Sequence, residues 1–532
     1  MKRINAVASA VPWFLLAYGL FLQLRVLATR FDQPLFGPYH FRETQTALST
    51  LWMTRGGPLF VYETPVAGHP YTIPFEFPLY QWLSAAVSVV SGLGIVEASR
   101  VVSIAAFLGM LGVLYAIVRD LALPRLAFAV LAALLCLSPL YLYWTGTVLI
   151  ESTALFLCLA WLWLYLRALY AVERRQRVIY ALAGMAVGAL AITVKVTTFL
   201  PFVWCAFAAT LIVFIPELWH AARQSRLVGF VKARTVHAVS LLGAVLVPLV
   251  ALVMWTSLAD AAKAQNDIGA MLTSDAVSLF TLGTWEMRLR ADEWMAVPLG
   301  RTIQHTFGVL VFIVALIAAA FLRDRRLVVM SLIGLGGYVL AFLLFWKLHQ
   351  VHWYYQYANA IFLLFAASLA IYAAFRAQPV IAALALIIVA MGMQSTFSTI
   401  YEKELTPRDN GRARPVMFAA DWVRQNTPEN SALITMFVDW NPEFHFYAER
   451  KGIAMRRGFG YDMVERILTN PTEFTDGKPV GAWVLCDRML QIFADEAMPP
   501  ERRRIALLEA WRATKKEVAR DHNCSIYQDP AA

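Results

Sequence analysis

Charge is what this sequence has least of: Asp, Glu, Lys and Arg make up 15% of its 532 residues while 59% are hydrophobic. A soluble domain carries about 25% charge, so this balance excludes an ordinary water-soluble chain and marks an integral membrane protein. The chain also lacks any GxGxxG or GxxxxGK[ST] loop, which leaves nucleotide phosphates without their usual backbone cradle. It has no internal repeat and no low-complexity tract, so a two-halved transporter is not written into it. Its five cysteines show no CxxC spacing. Cys136, Cys158 and Cys205 lie inside apolar runs and read as small core residues, whereas Cys486 and Cys524 form the pair that an oxidising compartment would join. The net charge of +10 does not imply nucleic acid, because the Lys and Arg residues sit in short loops between apolar runs. Membrane topology accounts for them.

What the chain has instead is long apolar runs. Eleven, near 11–29, 99–118, 125–143, 152–171, 178–194, 197–215, 236–256, 303–322, 327–346, 356–375 and 378–396, are long enough to cross about 30 Å of hydrocarbon. The first is read as a membrane helix, since Arg25 to Arg30 and not a small-residue cleavage site follow it. With Lys2 and Arg3 cytoplasmic, the basic loops Arg119–Arg125, Glu173–Arg177, Arg223–Arg234, Arg323–Arg326 and Arg376 all fall on the cytoplasmic side. That register requires Phe77–Val90 to stay out of the bilayer, as a helix in the outer interface with Tyr80 and Trp82 at headgroup depth. The expected architecture is an α-helical polytopic membrane protein with a small C-terminal α/β soluble domain. Residues 1–400 form the transmembrane part, with outer loops 30–98, 144–151, 257–302 and 347–356, and 401–532 form a periplasmic domain. In that domain Phe418–Arg424 reads as a helix, Ser431–Val438 and Gly481–Cys486 as strands, Pro500–Ala519 as an amphipathic helix and Ser525–Gln528 as a final edge strand. Localisation is expected in a bacterial inner membrane, with the N-terminus cytoplasmic.

The chemistry is sought in the outer loops. Arg42 and Glu43 lie in His40-Phe-Arg-Glu-Thr-Gln-Thr-Ala47; on a helix adjacent side chains diverge by about 100° and need not neutralise each other. Glu76 follows within Pro74-Phe-Glu-Phe-Pro78. Glu151 ends the otherwise uncharged stretch Tyr143–Ile150 and runs straight into an apolar helix, where an ionisable group is a functional candidate by default. Lys195 interrupts an apolar stretch at an outer turn and suits a phosphate; the plain alternative is an interface lysine that snorkels. Lys347–Tyr357 adds His352, Tyr355 and Gln356, which either touch a donor or belong to an aromatic belt. Asp439–Glu443 with Tyr447 and Arg450 is read either as an acceptor contact or as turn chemistry.

The order FRETQTA, FEFPLYQWL, SRVV, TGTVLIESTALF and TVKVTTF over residues 10–215 resembles the GT-C glycosyltransferases of family 39 and the Rgt type, related to protein O-mannosyltransferases and the lipid A aminoarabinose transferase. The resemblance implies a polyprenyl-phosphate sugar as donor and transfer of a monosaccharide on the periplasmic face to a glycolipid, polysaccharide or protein acceptor. Matched to the family's acidic first-loop motif, Arg42-Glu43 keeps one carboxylate and replaces the other by arginine. Glu76-Phe77-Pro78 keeps the acid of a Glu-Lys-Pro motif and lacks its lysine. The family's second-loop acid matches Glu151 and the lysine before the next helix matches Lys195; on chemical grounds Glu43 is the candidate base or acceptor-orienting acid with Glu151 as rival, Arg42 and Lys195 are the candidates for the departing phosphate, and His352 and Arg301 are next in line. No cofactor is assigned; a divalent metal bridging phosphate and Glu76 is left open, and His40 and His69 show no ligand spacing. Chemistry sets the same requirements: a base at the acceptor hydroxyl, cations for the leaving phosphate and a greasy groove for the lipid. The alternatives are a ligase or polymerase of lipid-linked oligosaccharides and a transporter or flippase of a lipid-linked substrate.

Overall fold

The computed structural model describes residues 2–407, 413–436, 438–456, 458–486, 499–521 and 523–530. The chain divides into two compact units: Met1–Phe31, Arg100–Thr256 and Val277–Leu405 form the first, and Asp32–Ser99, Ser257–Ala276 and Thr406–Ala532 the second.

The first unit is helical. Among the described residues nine helices are long and apolar enough to cross a membrane, ten if one bent pair is a single span. They include α1 (Lys2–Arg30), α4 (Ile95–Asp120), α7 (Glu151–Tyr170), α8 (Arg174–Val194), α9 (Val196–Arg223) and α10 (Leu227–Lys263). The chain is thus an integral, multi-pass membrane protein. Two of the eleven expected spans are interrupted. Run 125–143 is α5 (Arg125–Leu137) followed by α6 (Pro139–Trp144). Pro139 has no N–H to give and forces the residue before it out of the helical region, and Ser138 accordingly sits at φ −57°, ψ 127°. Run 303–322 overlaps the pair Ala291–Thr306 and Val311–Ala319, bent by 99°. Gly308 stands between them at φ +77°, and a Cβ there would lie 2.6 Å from the Thr396 hydroxyl, so both conformation and space call for glycine. Helix Tyr355–Ala377 is the enclosed centre of this unit. It is apolar on every side, as a fully buried helix must be, and packs against α5, α7, Val309–Ala319, Arg325–Leu344 and Pro379–Ile400.

The second unit is built on a five-stranded sheet of order β2-β1-β3-β5-β4: β1 (Ala432–Met436), β2 (Gly452–Met455), β3 (Val480–Cys486), β4 (Lys516–Arg520) and β5 (Cys524–Gln528). β1 runs parallel to β2 and β3, and β5 is antiparallel to β3 and β4. The edge strand is β4 and not Ser525–Gln528; the helix expected over Pro500–Ala519 stops at Ala513, and Lys516-Glu-Val-Ala-Arg520 carries the charges that keep an open edge from pairing. The strand expected at Ser431–Val438 is shorter, and position 437 within it lies outside the described residues. Cys486 and Cys524 face each other across β3 and β5 and are disulfide-bonded.

One face of the sheet is covered by helix Arg414–Asn426 through Ala419, Ala420 and Val423. The other face takes Ile453, Trp483 and Trp511 together with Ala67, Ile73 and Ile268, so segments 32–99 and 257–276 fold with the C-terminal sheet. A bridge pairs Ala67 with Ile453 of β2. The same unit contains α2 (His40–Thr54) and α3 (Leu79–Ser91). The Tyr80 side chain is fully buried and donates to the Ser99 carbonyl, which corrects its expected place at headgroup depth; it is a core residue.

Candidate active site

Two groups of charged side chains stand out, one within each unit. In the helical unit Glu151 opens α7, where unpaired backbone N–H groups and the positive end of the helix dipole favour a carboxylate. Lys195 is the single extended residue between α8 and α9, at φ −161°, ψ 94°. The β-branched run Thr193-Val194 before it and Thr197-Thr198 after it crowds a continuous helix. The Lys195 ammonium donates to Glu151 Oε1, and both side chains are almost wholly buried. A charge pair taken out of water costs several kcal/mol per ion, which mutual attraction only partly offsets.

Around this pair lies an aromatic shell. The Lys195 ammonium sits 4.1 Å from the Tyr355 ring centre and 5.2 Å from that of Tyr354, a cation over π-faces. The His352 ring lies 5.9 Å from Tyr355, nearly parallel, and 5.3 Å from Tyr354. Tyr357 is fully buried, and its hydroxyl meets Ser152 at 3.1 Å and Thr145 at 3.3 Å. Gln356 is buried as well: its amide oxygen accepts from Thr302 at 2.8 Å and its nitrogen lies 3.1 Å from His349 Nδ1. Burial, aided by the Lys195 charge, pushes the His349 imidazole down to about 3, so it is neutral at physiological pH. Arg301 donates to the Gln350 carbonyl at 2.6 Å and lies over Trp353.

The same helices that carry the pair line a groove of about 860 Å³, formed by Leu159, Leu162, Phe202, Ile212, Ile333 and Phe365 among others. Leu159 is eight residues beyond Glu151 on α7 and Phe202 seven beyond Lys195 on α9, so the groove begins about 10–12 Å along the helices from the pair.

In the sheet-bearing unit α2 presents Arg42 and Glu43. Arg42 ion-pairs with Glu76, donates to Gln45 Oε1 at 2.6 Å and lies 5.6 Å from the Phe75 ring centre. Glu43 is buried while Arg42 is not, the divergence expected of neighbours on a helix. Tyr62 accepts from the Phe75 N–H and donates to the Glu76 carbonyl; burial and then the Glu76 charge push its hydroxyl well above the ordinary phenol value. His40 lies 3.2 Å from Glu443, whose carboxyl is raised by burial against the opposing pull of His40 and Asn441. Tyr447 accepts from the Leu35 N–H at 2.6 Å and stacks on Phe36, and Arg450 is buried against backbone carbonyls, so this cluster ties segments of the unit together. Glu76 is engaged by Arg42, and among the described residues no three His, Cys, Asp or Glu side chains converge as a metal site.

Sequence reasoning singled out Glu151 and Lys195 separately and missed that they bind each other. It also passed over His349 and Tyr357, although both lie in the Lys347–Tyr357 stretch it marked. Their signal was polar groups in an apolar context.

No protein-family model matches the chain, and no curated protein matches it in sequence. Solved structures do match in shape. The structure of ArnT from Cupriavidus metallidurans bound to undecaprenyl phosphate is similar at 15% identity and a TM-score of 0.58, with 97% of each chain covered. The archaeal oligosaccharyltransferase AglB from Archaeoglobus fulgidus, in complex with an inhibitory peptide and a dolichol-phosphate, is similar at 13% identity and a TM-score of 0.53, over 94% of this chain and 72% of that one. The nine or ten apolar helices with a small C-terminal sheet therefore share the fold of these two structures, as the resemblance implied.

Proposed function

We propose that this protein transfers a monosaccharide from a polyprenyl-phosphate donor to a glycan, glycolipid or protein acceptor. The observation that carries the reading is the buried Glu151–Lys195 pair, ringed by Tyr354 and Tyr355 and set two helical turns from an apolar groove. Such a groove suits an isoprenoid chain, and a lysine at its approach suits the phosphate that chain carries. When a phosphate takes the ammonium, the Glu151 carboxylate is released to accept a proton. The acceptor hydroxyl then loses its proton to the carboxylate and its oxygen attacks the anomeric carbon. The bond from that carbon to the phosphate oxygen breaks, and the charge that develops on the phosphate is stabilised by Lys195. Attack from the face opposite the phosphate inverts the anomeric centre, and one base suffices.

Glu43 is the second candidate base, with Arg42 as a candidate phosphate ligand; the burial of Glu43 on α2 favours it. A ligase of lipid-linked oligosaccharides is the second reading, favoured by the likeness to AglB, yet the likeness to ArnT covers 97% of both chains against 72% of AglB. Mass spectrometry of membrane glycolipids and glycoproteins, with and without the protein, separates the readings. Loss of a single-sugar increment and accumulation of a monophosphate-linked sugar is expected. Loss of a whole oligosaccharide increment would replace transfer by ligation, and no change in any glycan would remove both.

The reaction is proposed for the periplasmic face of a bacterial inner membrane, because the basic loops then lie in the cytoplasm. Cysteines at Ser274 and Gln425, both exposed, are expected to react with an impermeant thiol reagent in spheroplasts, and one at exposed Gln176 only after lysis. The opposite pattern inverts the orientation.

A further inference from the structure

We propose that the sheet-bearing unit holds a binding site for an anionic saccharide, one or two sugar rings bearing a carboxylate or a phosphate, separate from the charge pairs described above and not dependent on the transfer reaction. A pocket of about 540 Å³ lies at the C-terminal end of α2 and the start of β1. Ligand sites for molecules of that size run from about 300 to 1,000 Å³. Its lining combines Trp52, Tyr71, Arg55, Lys451, Lys478 and Glu429.

Three observations give that lining its chemistry. First, it carries three cations to one carboxylate. Arg55 is paired with Glu449 and Lys451 with Glu63, but Lys478 has no ion-pair partner among the described residues. Second, the cations are gathered around aromatic faces: Lys451 lies 4.6 Å from the Trp52 ring centre and 5.3 Å from that of Tyr71, and Arg55 lies 5.4 Å from Trp52. Packing stems and heads against rings fixes long side chains that would otherwise wander, and so presents an ordered set of donors. Third, Tyr71 is 2% exposed, yet its hydroxyl has no hydrogen-bond partner among the described residues, and neither does the Trp52 indole N–H. A buried hydroxyl without a partner is costly. Tyr71 also holds φ +67°, a conformation that L side chains adopt only under constraint. Both groups are closed to solvent, so Tyr71 serves as a fixed, strained ring in the lining against which Lys451 packs.

Sugars bring hydroxyls that both give and accept hydrogen bonds. The Glu429 carboxylate and the Asn430 amide in the lining answer them, while Lys478 and Arg55 answer the negative group, Arg55 with a fork that matches a carboxylate or a phosphate.

The test is titration of the full-length protein in nanodiscs, without donor, with glucose 6-phosphate, glucuronic acid, glucose and inorganic phosphate. Both anionic sugars are expected to bind about tenfold or more tightly than glucose, the worth of one charge-assisted hydrogen bond, and glucose 6-phosphate more tightly than inorganic phosphate. Whichever anionic sugar binds tighter assigns the acidic group. Lys478→Ala is expected to remove that tenfold preference without affecting glucose, and Lys478→Arg to keep it. The proposal is overturned if the wild-type protein binds neither anionic sugar, if glucose binds as tightly as they do, if inorganic phosphate equals glucose 6-phosphate, or if Lys478→Ala leaves the preference intact. None of these outcomes bears on catalysis, so the site and the transfer reaction stand or fall separately.

Discussion

Glu151–Lys195 in the helical unit and Arg42–Glu76 in the sheet-bearing unit are both carboxylate–cation pairs, but the first has side chains 2% and 6% exposed and the second 23% and 19%. A pair about a fifth exposed can still exchange part of its contact for water, towards the limit of surface pairs, which contribute about 0.2–1 kcal/mol. A dry pair has no such exchange. Removal of one member of a buried pair costs about 3–5 kcal/mol. On the proposed mechanism a phosphate that takes the lysine changes the environment of the glutamate at once, an effect that water around the other pair would damp.

The sharpest way to break this contrast is Glu151→Gln, which keeps size and hydrogen bonding but removes proton acceptance. Turnover is expected to fall about 10²–10⁴-fold. Because the change also strands Lys195, Glu151→Gln with Lys195→Met controls for folding: it should regain the stability of the wild-type protein and none of the activity. Full activity in the double variant would make the pair structural only.

Next in size is stability. Lys195→Ala should lower it by about 3–5 kcal/mol, whereas Arg42→Ala should cost about 1 kcal/mol or less, read as shifts in thermal unfolding in detergent. Equal losses would erase the distinction between the pairs.

What the sequence made visible follows from range. Glu151 and Lys195 are conspicuous because each interrupts an apolar run, a local signal. The spans are visible for the same reason, and they were misjudged only where one residue overrides composition: Pro139, which splits a run, and Gly308, which marks a bend. Strand β4 was hidden because its alternation is short and charged, and it follows a helix closely enough to read as the helix's continuation. The larger gap is long-range. Nothing in Ala67 or His40 announces Ile453 or Glu443, some 390 to 400 residues away, and only the folded sheet brings segment 32–99 beside them. The same holds for the pocket of Trp52, Tyr71 and Lys451, whose members no spacing connects.

Each unit also buries a histidine, and these extend the comparison to pH. His349 is held down to about 3 and His445 to about 4, both first by burial; backbone carbonyls pull His445 partly back up. A histidine with a lowered folded value binds fewer protons folded than unfolded between that value and about 6.5. Its contribution is therefore fully present above about pH 6.5 and is lost as pH falls towards 4. For His445 the loss amounts to about 3 kcal/mol. The melting temperature is expected to drop between pH 7 and pH 5, and His445→Gln should flatten that drop while lowering stability at pH 7. An unchanged slope in the variant would locate the acid sensitivity elsewhere.

The smallest expected effect tests the wetter pair. Arg42 donates both to Glu76 and to Gln45, so its guanidinium spans two acceptors at once. A lysine is a point charge and can serve only one of them well. If Arg42 binds the donor phosphate, Arg42→Lys should raise the Michaelis constant for the lipid-phosphate sugar several-fold and Arg42→Ala about tenfold or more, as loss of a charge-assisted hydrogen bond predicts. The acceptor's constant should move little, because its hydroxyl is uncharged. If instead Arg42 only braces Glu76, both variants should change stability slightly and neither constant. That split decides whether the wetter pair takes part in binding or whether the buried pair acts alone.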